Sequence, residues 1–255
     1  MICNHSLELT GLAGDPDSPV HRLDPRAKLV GLLGITVIAV STPVALWPVY
    51  AACGAVLVLV AAAARVPASV IWRRGRLVLL PVALVAAVVP FVRAGGTAQQ
   101  LGPLTVHGDG LAVAAGVAAK ATIGTAAAVL LGATTGFPML LRGLEALRLP
   151  RVLVLIAAMM FRYLFVIVEE AERMRAALVA RAYRPRTALQ AGPLGRAGAA
   201  LFLRTHGRAE RVHLAMLARG FDGRMPQLAP LTLARADVLF VGLVLLAIVP
   251  LRVLA

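Results

Sequence analysis

The sequence predicts an all-α, polytopic integral membrane protein with about five transmembrane helices and a basic cytoplasmic helical segment. Three observations predict it. Sixty per cent of the residues are hydrophobic and only 15% are charged, too greasy a chain to hide in one soluble core. The apolar residues gather in runs of roughly 17–24, about enough to cross ~30 Å of hydrocarbon as helices. The net charge is +14, and the basic residues lie between apolar runs, as the positive-inside rule describes.

Residues 1–24 form a polar N-terminal segment without the basic start, short apolar stretch and cleavage site of a signal peptide. Asp24 reads as a helix N-cap with Pro25 at the first helical position. Residues 25–135 then read as a four-helix transmembrane part. Its first apolar run goes from Leu29 to about Leu46 and is punctuated by Thr42-Pro43 and Trp47-Pro48. A second run ends at Ala64. A basic loop with Arg65, Arg73, Arg74 and Arg76 follows, then a third run from Leu77 to Val92. The Gly-rich stretch Arg93 to Gly110 carries one basic residue, and a fourth run covers Leu111 to about Ala133. Residues 136–235 read as a cytoplasmic domain holding sixteen of the 26 basic residues. Residues 236–255 read as a last transmembrane helix, apolar from Val238 to Pro250. Every basic cluster is cytoplasmic if the N-terminus is inside, and five crossings then leave the C-terminus outside.

Val152 to Val168 is apolar enough to cross as well. A crossing there would face Glu169–Arg235 outward, twelve arginines against five acids, against the charge rule. It would also place Arg162 in lipid, which is costly. The stretch therefore reads as the greasy half of one long helix, set in the membrane or against a partner, with its charged half in the cytoplasm; the alternative is a sixth crossing.

That charged half contains the first copy of a short sequence that occurs twice. Glu172-Arg173-Met174-Arg175-Ala176-Ala177-Leu178-Val179-Ala180-Arg181-Ala182-Tyr183 returns as Glu210-Arg211-Val212-His213-Leu214-Ala215-Met216-Leu217-Ala218-Arg219-Gly220-Phe221. Each copy ends in Ala-Arg-small-aromatic and meets a breaker, Pro185 or Gly223. Both look helical. Glu169 and Arg173 have the favourable i,i+4 spacing. Arg204, Arg208, Arg211 and Arg219 share one face of the second helix, opposite Phe202, Leu203, Ala209, Leu214, Met216, Leu217 and Phe221. Such a helix suits a membrane surface or a partner's groove.

A cation in a last helical turn offsets the dipole by about 0.3–1 kcal/mol, which explains a lone arginine. It does not require the small flanking residues, the aromatic or the second copy. Arg offers a planar fork for carboxylates, and small neighbours allow close backbone approach. Ala180, Arg181, Ala182, Ala218, Arg219 and Gly220 are therefore the candidate docking residues. All methionines except Met1 lie between Met139 and Met225, which fits a surface that repacks against a moving partner; core filling explains them equally well.

The doubled motif in a basic segment resembles the transmembrane T component of energy-coupling factor transporters, EcfT. The resemblance includes His21-Arg22-Leu23-Asp24-Pro25-Arg26-Ala27-Lys28-Leu29 and the order of hydrophobic segments, and so covers essentially the whole chain. Asp17-Ser18-Pro19-Val20-His21-Arg22-Leu23-Asp24-Pro25-Arg26 is most similar to the CbiQ branch, which serves cobalt uptake. The first motif departs from the family's Ala-Arg-Gly by having Ala182.

The resemblance implies a non-catalytic subunit of a bacterial inner-membrane importer, multi-pass with its N-terminus in the cytoplasm. Two coupling helices would end in these motifs, each seated in a groove of one of two ABC ATPase subunits, a homo- or heterodimer. ATP binding would move the helix ends together and reorient a substrate-binding S component of CbiM type, with or without a small accessory membrane subunit. The transported substrate implied is cobalt, with nickel or a vitamin as the alternative.

Other signals are weaker. Cys3 and Cys53 make no metal pattern, and Cys53 lies within an apolar run. His5, His21, His107, His206 and His213 form no ligand cluster, so no metal site is expected. No P-loop and no Gly-x-Ser-x-Gly occurs, and no catalytic or cofactor-binding residue is expected. Lys120, inside the fourth run, is either functional or a packed or snorkelling lysine. Two competing classes are a membrane enzyme with a basic cytoplasmic site and a membrane-anchored binder of nucleic acid or anionic lipid. The enzyme would need His or carboxylates gathered at one membrane face. The binder would depend on total charge and salt rather than on two arginines. Membrane lipid is an expected partner and nucleic acid is not.

Overall fold

A computed structural model describes residues 18–92, 98–101, 104–184, 190–223 and 233–253. The helices, in chain order, are α1 (Pro19–Arg22), α2 (Pro25–Ser41), α3 (Trp47–Ala63), α4 (Ala68–Val92), α5 (Gly108–Thr134), α6 (Phe137–Ala146), α7 (Arg151–Ala180), α8 (Gly192–Ala218) and α9 (Arg235–Val253). Between α4 and α5 stands a two-stranded antiparallel hairpin, β1 (Ala98–Leu101) and β2 (Leu104–His107), with Ala98 opposite His107. The chain is an all-α polytopic membrane protein carrying that one small hairpin. Two compact units make it up: Met1–Leu147 with Leu231–Ala255, and Arg148–Pro230.

In the first unit, α2 to α5, α6 and α9 pack around an apolar core. Ile35, Ala39, Val49, Cys53 and Ala133 are fully buried, with Leu130 and Val244 nearly so. Cys53 is a free thiol there. The other side of α2 exposes Val30, Leu33, Val37 and Val40. That outward apolar stripe suits lipid, where close packing of small residues replaces the hydrophobic drive between helices. Glycines supply the close approaches. A Cβ on Gly31 would stand 2.9 Å from the Phe240 ring of α9, and one on Gly116 would stand 2.8 Å from Val44.

Helix α2 begins as expected. The Asp24 carboxylate accepts from the Arg26 N–H at 2.8 Å, with Pro25 in the first turn. Carbonyls at its C-terminal end, where the helix stops supplying donors, find partners in side chains. Thr42 Oγ1 donates to the Ile38 carbonyl (2.7 Å) and Tyr50 Oη to the Thr42 carbonyl (2.7 Å). Lys120 Nζ reaches across from α5 to the Val40 carbonyl at 2.9 Å. Of the two readings of Lys120, this geometry supports the packed one: it caps a neighbouring helix and favours the negative end of its dipole.

The basic loop is shorter than the sequence suggests. Helix α4 starts at Ala68, just after Pro67, so Arg73, Arg74 and Arg76 are helical. Arginine is a good helix former, and a proline before the first turn costs no hydrogen bond. Two helices, Gly110–Thr134 and Arg151–Ala180, are long and apolar enough to cross a membrane by length and composition. The 17-residue helices α2 and α3 span about 25 Å each at 1.5 Å per residue.

The second unit consists of α7 and α8. Helix α7 is one continuous 30-residue helix. It joins the apolar run Val152–Val168 to the first repeat copy without a break, as the sequence reading expects. Helix α8 carries the second copy and buries none of its residues.

Candidate docking ends of the repeat helices

The repeat copies end their helices in the same way. In α7, Arg181 is the C-cap and Ala182 follows at φ +57°. The Ala182 N–H donates to the Val179 carbonyl (2.9 Å) and the Tyr183 N–H to the Leu178 carbonyl (3.1 Å). In α8, Arg219 is the C-cap and Gly220 follows at φ +78°. The Gly220 N–H donates to the Leu217 carbonyl (2.9 Å) and the Phe221 N–H to the Met216 carbonyl (3.0 Å). Both are Schellman motifs, with a left-handed residue just past the C-cap and an apolar residue after it.

This geometry accounts for more of the repeat than the sequence reading allowed. The small residue after the arginine is the left-handed position, where a Cβ is disfavoured. The aromatic occupies the place where a Schellman end commonly makes an apolar contact with its last turn. Tyr183 and Phe221 are accordingly half-buried. Helix α3 ends likewise, with Arg65 at φ +51° and the Val66 N–H bonded to the Ala61 carbonyl. The cap is therefore a general way to stop a helix in this chain. What it leaves unexplained is the arginine at the C-cap in both copies.

The surroundings of those arginines set them apart. Ala180, Arg181, Ala182, Ala218, Arg219 and Gly220 are all exposed. Among the described residues, neither the Arg181 nor the Arg219 guanidinium has a hydrogen-bond or ion-pair partner. Other arginines of the unit do. Arg173 bonds Glu169 at 2.9 Å and Glu170 at 2.8 Å, and Arg204 of α8 bonds the other Glu170 oxygen. Arg173 and then Arg204 hold the Glu170 carboxyl below the usual carboxylate range by hydrogen bonding. The Glu170–Arg204 tie joins α7 to α8. Arg181 lies eleven residues beyond it and Arg219 fifteen, arms of about 16 and 22 Å along the helix axes.

Around that tie runs a groove of about 770 Å³, lined by Met159, Met160, Tyr163 and Ile167 of α7 and by Phe202, Arg208 and Met216 of α8, among others. Three of the clustered methionines thus face one groove. His206 stacks on Phe202 (ring centroids 6.0 Å apart) and stands 3.6 Å from Glu210, a surface arrangement. Cys3, His5, Pro185 and Met225 lie outside the described residues.

A buried polar group in the first unit escaped the sequence reading. Lys28, in the first turn of α2, is 2% exposed. Its Nζ donates to the His21 and Thr134 carbonyls, each at 3.1 Å. Asp237, also 2% exposed, accepts from the Asp24 N–H at 2.7 Å. The available signals were an acid three residues into the last helix and a lysine one turn into the first.

The left-handed ends give a stability test. At φ +57° an L-residue costs about 1–2 kcal/mol that glycine does not. Ala182→Gly is expected to raise the stability of the α7 end by about 1 kcal/mol, and Gly220→Ala to lower that of α8 by a similar amount. Backbone hydrogen exchange at Tyr183 and Phe221 reads both; equal protection in all variants would contradict it.

The chain was compared with known proteins. Residues 16–228 match the cobalt transport protein family CbiQ. The cobalt transport protein CbiQ of Rhodobacter capsulatus is 31% identical over 220 residues, covering 84% of this chain and 85% of that one. An uncharacterised protein of Methanocaldococcus jannaschii is 28% identical over 122 residues, and the match spans less than half of either chain, 48% and 46%. Helices α1 to α8, with the capped Asp24-Pro25 start and the paired Arg-ended helices, all fall within residues 16–228, and the chain belongs to the CbiQ family of cobalt transport proteins.

Proposed function

We propose that this chain is the transmembrane coupling subunit of an ATP-driven, energy-coupling-factor-type importer, and that its cargo is cobalt ion. The single observation that carries the reading is the pair of exposed C-cap arginines at the ends of α7 and α8, without a partner among the described residues. Each guanidinium stands beside backbone that carries no bulky side chain, open to a carboxylate on a partner. Two such ends fit two ATPase subunits, one each. ATP binding closes the ATPase pair, and the helices pass the motion to a separate substrate-binding membrane subunit. The ATPases hydrolyse the ATP; this chain does not.

The orientation proposed puts the N-terminus, α7 beyond Val168, and α8 in the cytoplasm. The charge asymmetry of residues 169–235 supports it. Exposed Arg162 in the middle of α7 favours holding that helix out of lipid, although its length would let it cross. Cobalt rests on the family and on the Rhodobacter relative's name. Nickel or a vitamin would be carried by the same coupling apparatus with a different substrate subunit.

Hydrolysis is the direct test. Full-length chain purified alone is expected to show no ATP turnover, and turnover is expected to appear when the two ATPases and the membrane partner are co-expressed with it. Robust hydrolysis by the chain alone would point to a membrane enzyme instead.

A further inference from the structure

Unit 2 is joined to unit 1 at two places, after Leu147 and at Leu231. The flanking elements of unit 1 both converge on one turn, Asp24 to Lys28, at the start of α2. On the outgoing side, α6 lies on that turn. A Cβ on Gly143 would stand 2.9 Å from Leu29 Cδ1 and 3.3 Å from the Pro25 carbonyl carbon. Just before α6, the Thr134 carbonyl accepts from Lys28 Nζ at 3.1 Å. On the returning side, Asp237 Oδ1 accepts from the Asp24 N–H and Oδ2 from the Ala234 N–H, both at 2.7 Å.

Capping of α9 alone would need only the Ala234 bond, which a solvated aspartate makes equally well. Here Asp24, Lys28 and Asp237 are all less than 10% exposed, an arrangement that costs desolvation. Nor is it needed to pack α9 on α2, since Phe240 already sits on Gly31. The polar group adds directional bonds from one turn to both flanks of unit 2.

We propose that the Asp24–Lys28 turn is the common anchor of both connections to unit 2, with Asp237 and Lys28 as its positioning residues. This rests on the coupling role proposed above. Motion that reaches the unit-1 end of either connection is then delivered to the membrane helices at one fixed turn.

The test uses the full chain assembled with its ATPases and membrane partner in liposomes, with uptake of radioactive Co2+ and ATP hydrolysis measured together. Asp237→Asn keeps the shape and one good acceptor. The complex is expected to assemble at wild-type yield and to hydrolyse ATP, while Co2+ moved per ATP falls roughly tenfold, the effect of losing one charge-assisted bond. Lys28→Arg is expected to retain more of that ratio than Lys28→Gln. An unchanged ratio in Asp237→Asn overturns the proposal. If assembly, hydrolysis and uptake fall together, as a merely structural role predicts, Gly143→Ala decides at the other connection: a lowered ratio with assembly intact supports the anchor, and an unchanged ratio overturns it. Failure of the wild-type chain to bind ATPases would defeat the coupling reading instead, and is seen before any variant is made.

Discussion

Arg181→Glu combined with Arg219→Glu is expected to release both ATPases while the membrane unit stays folded. Neither side chain has a partner within the described residues, so the substitution breaks no internal bond. The internal cost is the reversal of a charge at each helix C-terminus, about 0.3–1 kcal/mol per site. If each arginine meets a carboxylate in a desolvated groove, its loss costs roughly 2–5 kcal/mol per site. In the proposed complex docking is bivalent, since one chain would hold two ATPases that also hold each other. Each single variant keeps one contact, and the second site remains at high effective concentration. Single variants are therefore expected to lower the co-purified ATPase and the pair to abolish it. Arg181→Gln with Arg219→Gln separates the two costs, removing the partner bond with little dipole penalty. The double glutamate variant carrying ATPases at wild-type yield would sink the docking reading. Binding that tracks total charge and salt instead would favour the polyanion binder.

Much of the fold was legible because lipid makes a simple demand. Each apolar run must satisfy its own backbone, so long runs become helices. That reasoning places α2, α3, α5 and α9 close to their observed limits and predicts the continuity of α7. It fails where the signal is short. The strands β1 and β2 have four residues each, too few for an alternation to stand out in a polar stretch. The start of α4 was hidden because arginines were read as loop charges. The burial of Lys28 was hidden for a related reason. A lysine near a membrane helix end is usually solvated, and the Thr134 carbonyl that accepts its bond lies 106 residues away. The repeat was visible from sequence, but its meaning was only half so. The residue after each arginine sits at a positive φ, which favours glycine and which no count of residue types reveals, although Arg65 takes the same position at the end of α3.

Lys28→Met is expected to be the most damaging single substitution in the membrane unit. Methionine fits the space and keeps the helix, so volume and propensity change little. What is lost is the donor to the His21 and Thr134 carbonyls and the positive charge near Asp24 and Asp237. Each buried carbonyl left without its donor costs roughly 1–3 kcal/mol, and the loss of a positive charge near two buried carboxylates adds to that. A second substitution separates the two costs. With Asp237→Asn added, the cost should be less than the sum of the two single effects by at least about 1 kcal/mol, because coupled neighbours do not add. Unfolding in detergent, followed for the wild type, both single variants and the pair, measures this coupling. Strict additivity would mean that Lys28 and Asp237 act on the turn separately, and the two connections would then be held by independent bonds rather than by one shared group.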